Sequence, residues 1–190
     1  MEIDKAVEVL NSGGIVIFPT DTAFGIGCRI DAEAAVKRVF DIKKRDYSKP
    51  LLALVNSIQM AMQYVEIPDD VQGKLLDKYW PGGLTVFLKC NPEVVPGIVR
   101  SGTDSLALRL PDHKEIREII NRVGVPILAT SANISGEKTP YSIDEVNKEL
   151  LSKVDFVLNG ECTYKIQSTI LDCTVIPWKI VREGAVKIDL

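Results

Sequence analysis

The chain has 190 residues, 46% hydrophobic and 26% charged, with a formal net charge of −3. That balance belongs to a soluble globular protein, and the length fits one domain over 1–190 that buries its core without staples. It argues against general affinity for nucleic acid or an anionic surface, and no stretch approaches the roughly 20 apolar residues of a membrane helix. Met1-Glu2-Ile3-Asp4-Lys5 carries two acids and no apolar run, so it does not read as a signal peptide. Cys28, Cys90, Cys162 and Cys173 show neither C-x-x-C spacing nor a cluster with the single histidine. They read as reduced thiols of a cytoplasmic protein.

Ile3, Ala6, Val7 and Leu10 recur at helical spacing after Asp4, and Gly13-Gly14 ends that helix. Gly14 to Phe18 is a continuous β-branched run and predicts a buried strand, broken at Pro19. A second helix is predicted with Asp31 as its cap, carrying Ala35, Val36, Val39 and Phe40 inward. Strands are predicted at Leu51 to Val55 and Leu84 to Leu88, with short helices near 57–64 and after Pro68. Trp80-Pro81-Gly82-Gly83 reads as a tight turn with a packed indole. Residues 91–104 read as a long loop, a length often tied to function.

Ser105 to Leu110 alternates, with Leu106, Leu108 and Leu110 on one face and Ser105, Ala107 and Arg109 on the other. A helix follows Pro111 and ends at Gly124. Ile127-Leu128-Ala129-Thr130 is a further buried strand, and Ser142-Ile143-Asp144-Glu145 reads as a capping box for the last helix. Strands near Phe156–Leu158, Thr169–Leu171, Val175–Ile176 and Ile180–Val181 close the chain. The mixture predicts an α/β protein with a twisted mixed sheet and flanking helices rather than a regular doubly wound fold.

Several segments offer chemistry. Ser131-Ala132-Asn133, then Ile134-Ser135-Gly136, follow a buried strand at its carboxyl end, where α/β folds place ligands. Pro19-Thr20-Asp21-Thr22-Ala23-Phe24-Gly25 offers hydroxyls and a carboxylate, with Phe24 as a pocket wall. The same residues also make an ordinary turn, because Asp and Thr bond their own backbone. Lys43, Lys44, Arg45 and Lys49 crowd one segment. The first two complement a helix dipole, whereas Arg45 and Lys49 lie beyond the helix, and such a density of cations suits phosphate.

Neither a P-loop nor a G-x-G-x-x-G fingerprint occurs. Arg109 reads either as a solvated surface charge or as a buried one that needs a partner. Arg182 beside Glu183 reads as a weak surface ion pair or as one more cation of an anion site. His113 reads as structural. Together these signals imply a phosphate-bearing ligand and a small polar co-ligand, without identifying a reaction.

The motifs taken in order resemble the YrdC-like family, the threonylcarbamoyl-AMP synthases. They are Pro19-Thr20-Asp21-Thr22-x-Phe24-Gly25, Lys43-x-Arg45 with Lys49-Pro50-Leu51, Trp80-Pro81-Gly82-Gly83-Leu84-Thr85 and Arg109-x-Pro111. Ser131-Ala132-Asn133-x-Ser135-Gly136, Ser168-Thr169-Ile170-x-Asp172 and Arg182-Glu183-Gly184 complete the set, which spans nearly the whole chain.

The resemblance implies a deep concave cavity on the sheet and a reaction of L-threonine, bicarbonate and ATP that gives threonylcarbamoyl-AMP and pyrophosphate. The product would pass to a separate threonylcarbamoyl-transfer complex acting on tRNA. By match of motif, Arg45, Lys49, Ser105, Arg109, Ser131, Asn133, Thr139 and Arg182 would serve ATP, and Thr22, Ala129 and Ser168 would serve threonine. Lys43 and Arg45 would stabilise charge during adenylyl transfer. Mg2+ is expected on the ATP phosphates, with no dedicated protein ligands for a metal.

Alternatives of the same fold are an RNA-binding module, with direct tRNA contact, and a carbamoyl- or adenylyl-transfer enzyme with another acceptor. The chain departs from the family at Phe24 (commonly tyrosine), Asp46 and Gly83 (commonly proline), and Leu54, which stands where a threonine-contacting histidine is frequent. It is expected to lack the C-terminal domain of longer members.

Overall fold

The computed structural model describes residues 2–189. Strands β1 (Val16–Phe18), β2 (Gly25–Arg29), β3 (Leu52–Leu54), β4 (Leu84–Lys89) and β5 (Ser105–Arg109) come first in the chain. They are followed by β6 (Ile127–Ser131), β7 (Phe156–Val157), β8 (Thr169–Asp172) and β9 (Lys179–Arg182). All join one sheet in the order β7-β1-β2-β6-β3-β5-β4-β8-β9. Three of its pairings are parallel (β1 with β7, β3 with β5, β4 with β8) and the others antiparallel, so the sheet is mixed, as expected.

Helix α1 (Glu2–Asn11) buries Ala6, Val7, Val9 and Leu10 and packs against the helix Lys114–Val123, which buries Ile116, Ile119, Ile120 and Val123. Arg122 donates to Asp4 Oδ1 at 2.8 Å between them. Helix α2 (Glu33–Lys43) covers β2 through Ala35, Val36, Val39 and Phe40. Apolar stripes at helical spacing thus meet the continuous apolar face of the sheet, as burial of one face of each element requires.

The helix boundaries correct two expected caps. Asp31 does not cap α2, which begins at Glu33, because its carboxylate is held by Arg29 at 2.7 Å. Ser142 opens only a 3-10 turn, Ile143–Glu145, with no side-chain cap. The Glu145 carboxylate instead accepts from the Tyr141 amide at 2.6 Å, and Asn147 caps the short helix Lys148–Leu151. Two expectations on either side of Lys114–Val123 hold: His113 caps its N-terminus through Nδ1, and Gly124 closes it in the left-handed region at φ 79°.

The sequence pattern missed β2. Gly25-Ile26-Gly27-Cys28-Arg29 has no β-branched run, and its extended form is set by β1 on one side and β6 on the other. Val175–Ile176, expected as a strand, lies in the turn between β8 and β9, where Ile176 is exposed. Residues 91–104 contain a helical turn, Gly97–Arg100, pinned by Arg100 donating to Val95 O and Thr103 O, and none of them lines the cavity described below.

Gly27 is required by close approach. A Cβ built on it would overlap the Leu128 carbonyl oxygen of β6. Gly27→Ala is therefore expected to destabilise the fold by about 3 kcal/mol, read from urea denaturation, because backbone cannot yield as a flexible side chain can.

Candidate active site

The concave face of the sheet floors a cavity of about 370 Å3. Strand register sets its floor in rows. Ala129, Leu52, Ala107 and Phe87 lie side by side across β6, β3, β5 and β4, an apolar shelf. The next row runs Leu54 beside Arg109, then Thr85, Ile170 and Arg182.

The loop between β1 and β2 supplies the first wall. Thr20 Oγ1 donates to Ala23 O at 2.7 Å and accepts from the Thr22 and Ala23 amides, so the turn reading holds. The ligand-wall reading holds as well, since Thr20, Thr22, Ala23, Phe24 and Gly25 line the cavity. Arg109 anchors this loop from the floor. It is 3% exposed, which settles the sequence alternatives in favour of a buried cation. Its Nη2 pairs with Asp21, Nη1 donates to Thr22 Oγ1 at 2.5 Å and Nε to Gly82 O at 2.9 Å. Burial pushes its pKa down while Asp21 opposes the shift. Three donor positions of its guanidinium thus serve the protein, which makes Arg109 first a strut between the Thr22 loop and the Gly82 turn. That turn is closed by Trp80, whose Nε1 donates to Leu84 O at 2.7 Å.

The basic segment forms the second wall. Lys43, Arg45 and Lys49 line the cavity. Arg45 Nη2 donates to Pro50 O at 2.9 Å, and burial lowers its pKa. Lys43, expected to face a reacting phosphate, is almost wholly enclosed, and its ammonium bonds the backbone carbonyls of Ser131 and Asn133. Its helix-dipole role is thus subordinate to a tertiary one.

The segment after β6 is the third wall. Ala132 N donates to Phe24 O at 2.8 Å and Phe24 N to Pro140 O at 3.0 Å, lashing it to the Thr22 loop. Asn133 Nδ2 donates to Ile134 O and Glu137 O, which shapes the turn. Thr139 Oγ1 accepts from Gln167 Nε2 at 2.5 Å across to the segment before β8. Ser168 meets Thr85 through their hydroxyls at 2.9 Å, and Arg182 Nε and Nη2 both donate to Ser168 O, at 3.0 and 2.8 Å. Arg182 is therefore no surface partner of Glu183.

The structure brings Thr22, Lys43, Arg45, Lys49, Arg109, Ala129, Ser131, Asn133, Thr139, Ser168 and Arg182 to one cavity. Ser105 is the exception. It lines a separate depression with Lys89 and Cys173, and its hydroxyl lies 3.2 Å from that of Thr103. Alternation does put it on the Arg109 face, but the rise of about 3.3 Å per residue carries it roughly 13 Å away along β5.

Gln167, Phe87 and Glu137 line the cavity and were not singled out from the sequence, and Thr85, which ends the Trp80 motif, was given no role there. Gln167 adjoins the Ser168 motif, whereas nothing in the spacing marked Phe87 or Glu137. Leu54 lines the wall with no polar atom to offer. Five cations surround the cavity against a single lining carboxylate, Glu137, so the local field is positive although the chain is net negative. Hydroxyls, amides and cations around an apolar shelf suit a polyanionic ligand with an apolar portion.

The family model Sua5_yciO_yrdC, described as "Telomere recombination", matches residues 8–184. A relative from Methanocaldococcus jannaschii is 41% identical over 183 residues, covering 96% of this chain and 84% of its own. The threonylcarbamoyl-AMP synthase of Pyrococcus abyssi is 34% identical over 190 residues, covering 99% of this chain and 55% of its own. The crystal structure of P. abyssi Sua5 complexed with L-threonine superposes with a TM-score of 0.90 at 35% identity, over 96% of this chain and 54% of that one. The chain thus spans about half the length of the Pyrococcus protein. Motif order, fold and match over nearly the whole length agree: the chain belongs to the Sua5/YciO/YrdC family.

Proposed function

We propose that this protein is a threonylcarbamoyl-AMP synthase, a nucleotidyltransferase that uses L-threonine, bicarbonate and ATP and releases pyrophosphate. The observation that carries this reading is the cavity itself, where Arg45, Lys49, Arg109 and Arg182 face hydroxyl-bearing loops. The similarity to a relative named for that activity, and to a structure that holds L-threonine, supports it.

In this reading Arg45, Lys49, Arg182, Ser131 and Thr139 hold the nucleotide. Thr22, the Ala129 segment and Ser168 hold the amino acid, with Arg109 fixing Thr22. Threonine's amine forms an N–C bond with the carbon of bicarbonate, and a C–O bond of bicarbonate breaks with loss of water, to give a carbamate. A carbamate oxygen then attacks the α-phosphorus, and the bond to the bridging oxygen of pyrophosphate breaks. The attack brings two anions together, so the surrounding cations lower the barrier by neutralising charge and aligning the reactants, and no protein nucleophile is required.

Magnesium on the phosphates is part of the proposal. Among the described residues no three acidic, His or Cys side chains come together to hold a metal. The residues present do not fit a protein-held ion, so the magnesium of the proposal travels with the nucleotide. Transfer of the product to tRNA by a separate complex, in the cytoplasm, completes the proposal. The cytoplasmic setting alone draws support from the free state of the four cysteines, and among the described residues no helix is long and apolar enough to cross a membrane. Enclosure of the cations within a small cavity favours a small ligand over RNA.

Pyrophosphate release measured with ATP, bicarbonate and L-threonine tests the proposal. Release that requires all three is expected. Release with a different amino acid would shift the reading to another acceptor, for which the apolar Leu54 wall is the structural reason. No turnover with salt-sensitive RNA binding would replace it with an RNA-binding role.

A further inference from the structure

Lys43 ends helix α2 and reaches beneath the turn that follows β6. It is 2% exposed. Its ammonium donates to Ser131 O and, at 2.5 Å, to Asn133 O, while the Ser135 amide donates back to Lys43 O at 2.8 Å. The turn carrying Ser131, Asn133 and Ser135 to the cavity wall is thus tied to the end of α2 at both of its ends. Two of the three ammonium donors are used in this way, and the residue still lines the cavity.

The acceptors are neutral dipoles, so the buried charge lacks a direct counter-ion. The charged groups that bear on it are Arg45, next along the same segment, which opposes the charge, and Glu137 from the far side of the turn, which favours it. Lys49, Arg109 and Arg182 line the same cavity with the same sign. Burial is the largest influence and, with Arg45, pushes the Lys43 pKa down to about 7. A polyphosphate among these cations brings negative charge to the Lys43 surroundings, and so favours the protonated amine.

We propose that Lys43 is a positioning residue which clamps the Ser131–Asn133 turn and takes up a proton when a polyphosphate anion enters the cavity. The inference rests on the nucleotide reading of this site and deepens it, by coupling loop order to ligand charge. Lys43 acts through the turn rather than as a group that must touch the reacting atoms.

Calorimetric titration with ATP in two buffers of different ionisation enthalpy tests it. At about pH 8, where the terminal phosphate of ATP is already ionised, the wild-type protein is expected to take up a large fraction of about one proton per ATP bound, and at about pH 6, where the amine is already charged, to show no more uptake than Lys43→Met. Lys43→Met keeps the stem but no charge. It is expected to bind ATP roughly 10- to 100-fold more weakly and to show no proton uptake at about pH 8. A merely structural lysine would not link a proton to binding. ATP binding without uptake at the higher pH, or uptake there that persists in K43M, overturns the inference while leaving the nucleotide reading intact. Failure of the wild-type protein to bind ATP overturns both. Should K43M fail to fold, the pH dependence of uptake in the wild-type protein decides the matter alone.

Discussion

Arg182→Ala is expected to lower kcat/KM for ATP by about 100-fold or more, the scale of losing a charged donor aimed at developing negative charge. Two features make the effect large. Arg182 is the lining cation on the β8–β9 side of the cavity, so its loss leaves the phosphates facing Lys43, Arg45 and Lys49 on the α2 side and the already engaged Arg109 on the floor. It also holds the Ser168 carbonyl with two donors and reaches Ser168 Oγ at 3.1 Å, so the wall assigned to threonine loosens with it. Both substrate dependences should suffer. Pyrophosphate release at varied ATP and varied threonine measures this, with Arg45→Ala as a companion and Arg29→Ala as the comparison. Arg29 pairs with Asp31 and Asn11 on the surface away from the cavity, and its removal is expected to change kcat/KM less than about twofold. Equal, small effects at Arg182, Arg45 and Arg29 would remove the phosphate-site assignment.

Asp21→Ala is expected to destabilise the protein by about 3–5 kcal/mol, because it leaves the Arg109 guanidinium buried without its anionic partner. Asp21 is 1% exposed and Arg109 3%, so neither charge can turn to water. For a chain of this length that loss lowers the melting temperature by about 10 °C or more. Asp21→Leu and Arg109→Met each leave one charge orphaned, whereas the double variant Asp21→Leu/Arg109→Met removes both and is expected to cost less than the sum of those two single variants. Urea denaturation of the three variants gives the coupling. A single-variant cost under about 1 kcal/mol would show that the pair does not hold the Thr22 loop.

Local pattern carried far along this chain where one neighbour shell decides the structure. The α1 stripe of Ala6, Val7 and Leu10, the alternation of Leu106, Leu108 and Ala107, and the Gly124 stop were each legible, because periodicity and left-handed geometry are properties of a few consecutive residues. The motif set likewise pointed to a mixed sheet, a concave site and the residues around it. β2 was not legible, since two glycines and an arginine become a strand only between partners contributed by distant segments. The Ser142 box failed for the converse reason: the Glu145 carboxylate found a better acceptor role at Tyr141 N than in a helix cap.

The sequence by itself determined the family, most of the run of strands and helices with β2 excepted, and the supply of cations and hydroxyls. Only the tertiary structure decided what each cation does. Whether Arg109 is solvated or buried depends on Asp21, far away in the chain, and on the depth of the cavity floor. Whether Lys43 complements a helix end or clamps a turn depends on where β6 ends beside α2. Ser105 shares a face with Arg109 yet lines a separate depression, because alternation sets the face while the rise along β5 sets the distance. A charge's role follows from its desolvation and its partners, and those are fixed by contacts between segments that no local pattern contains.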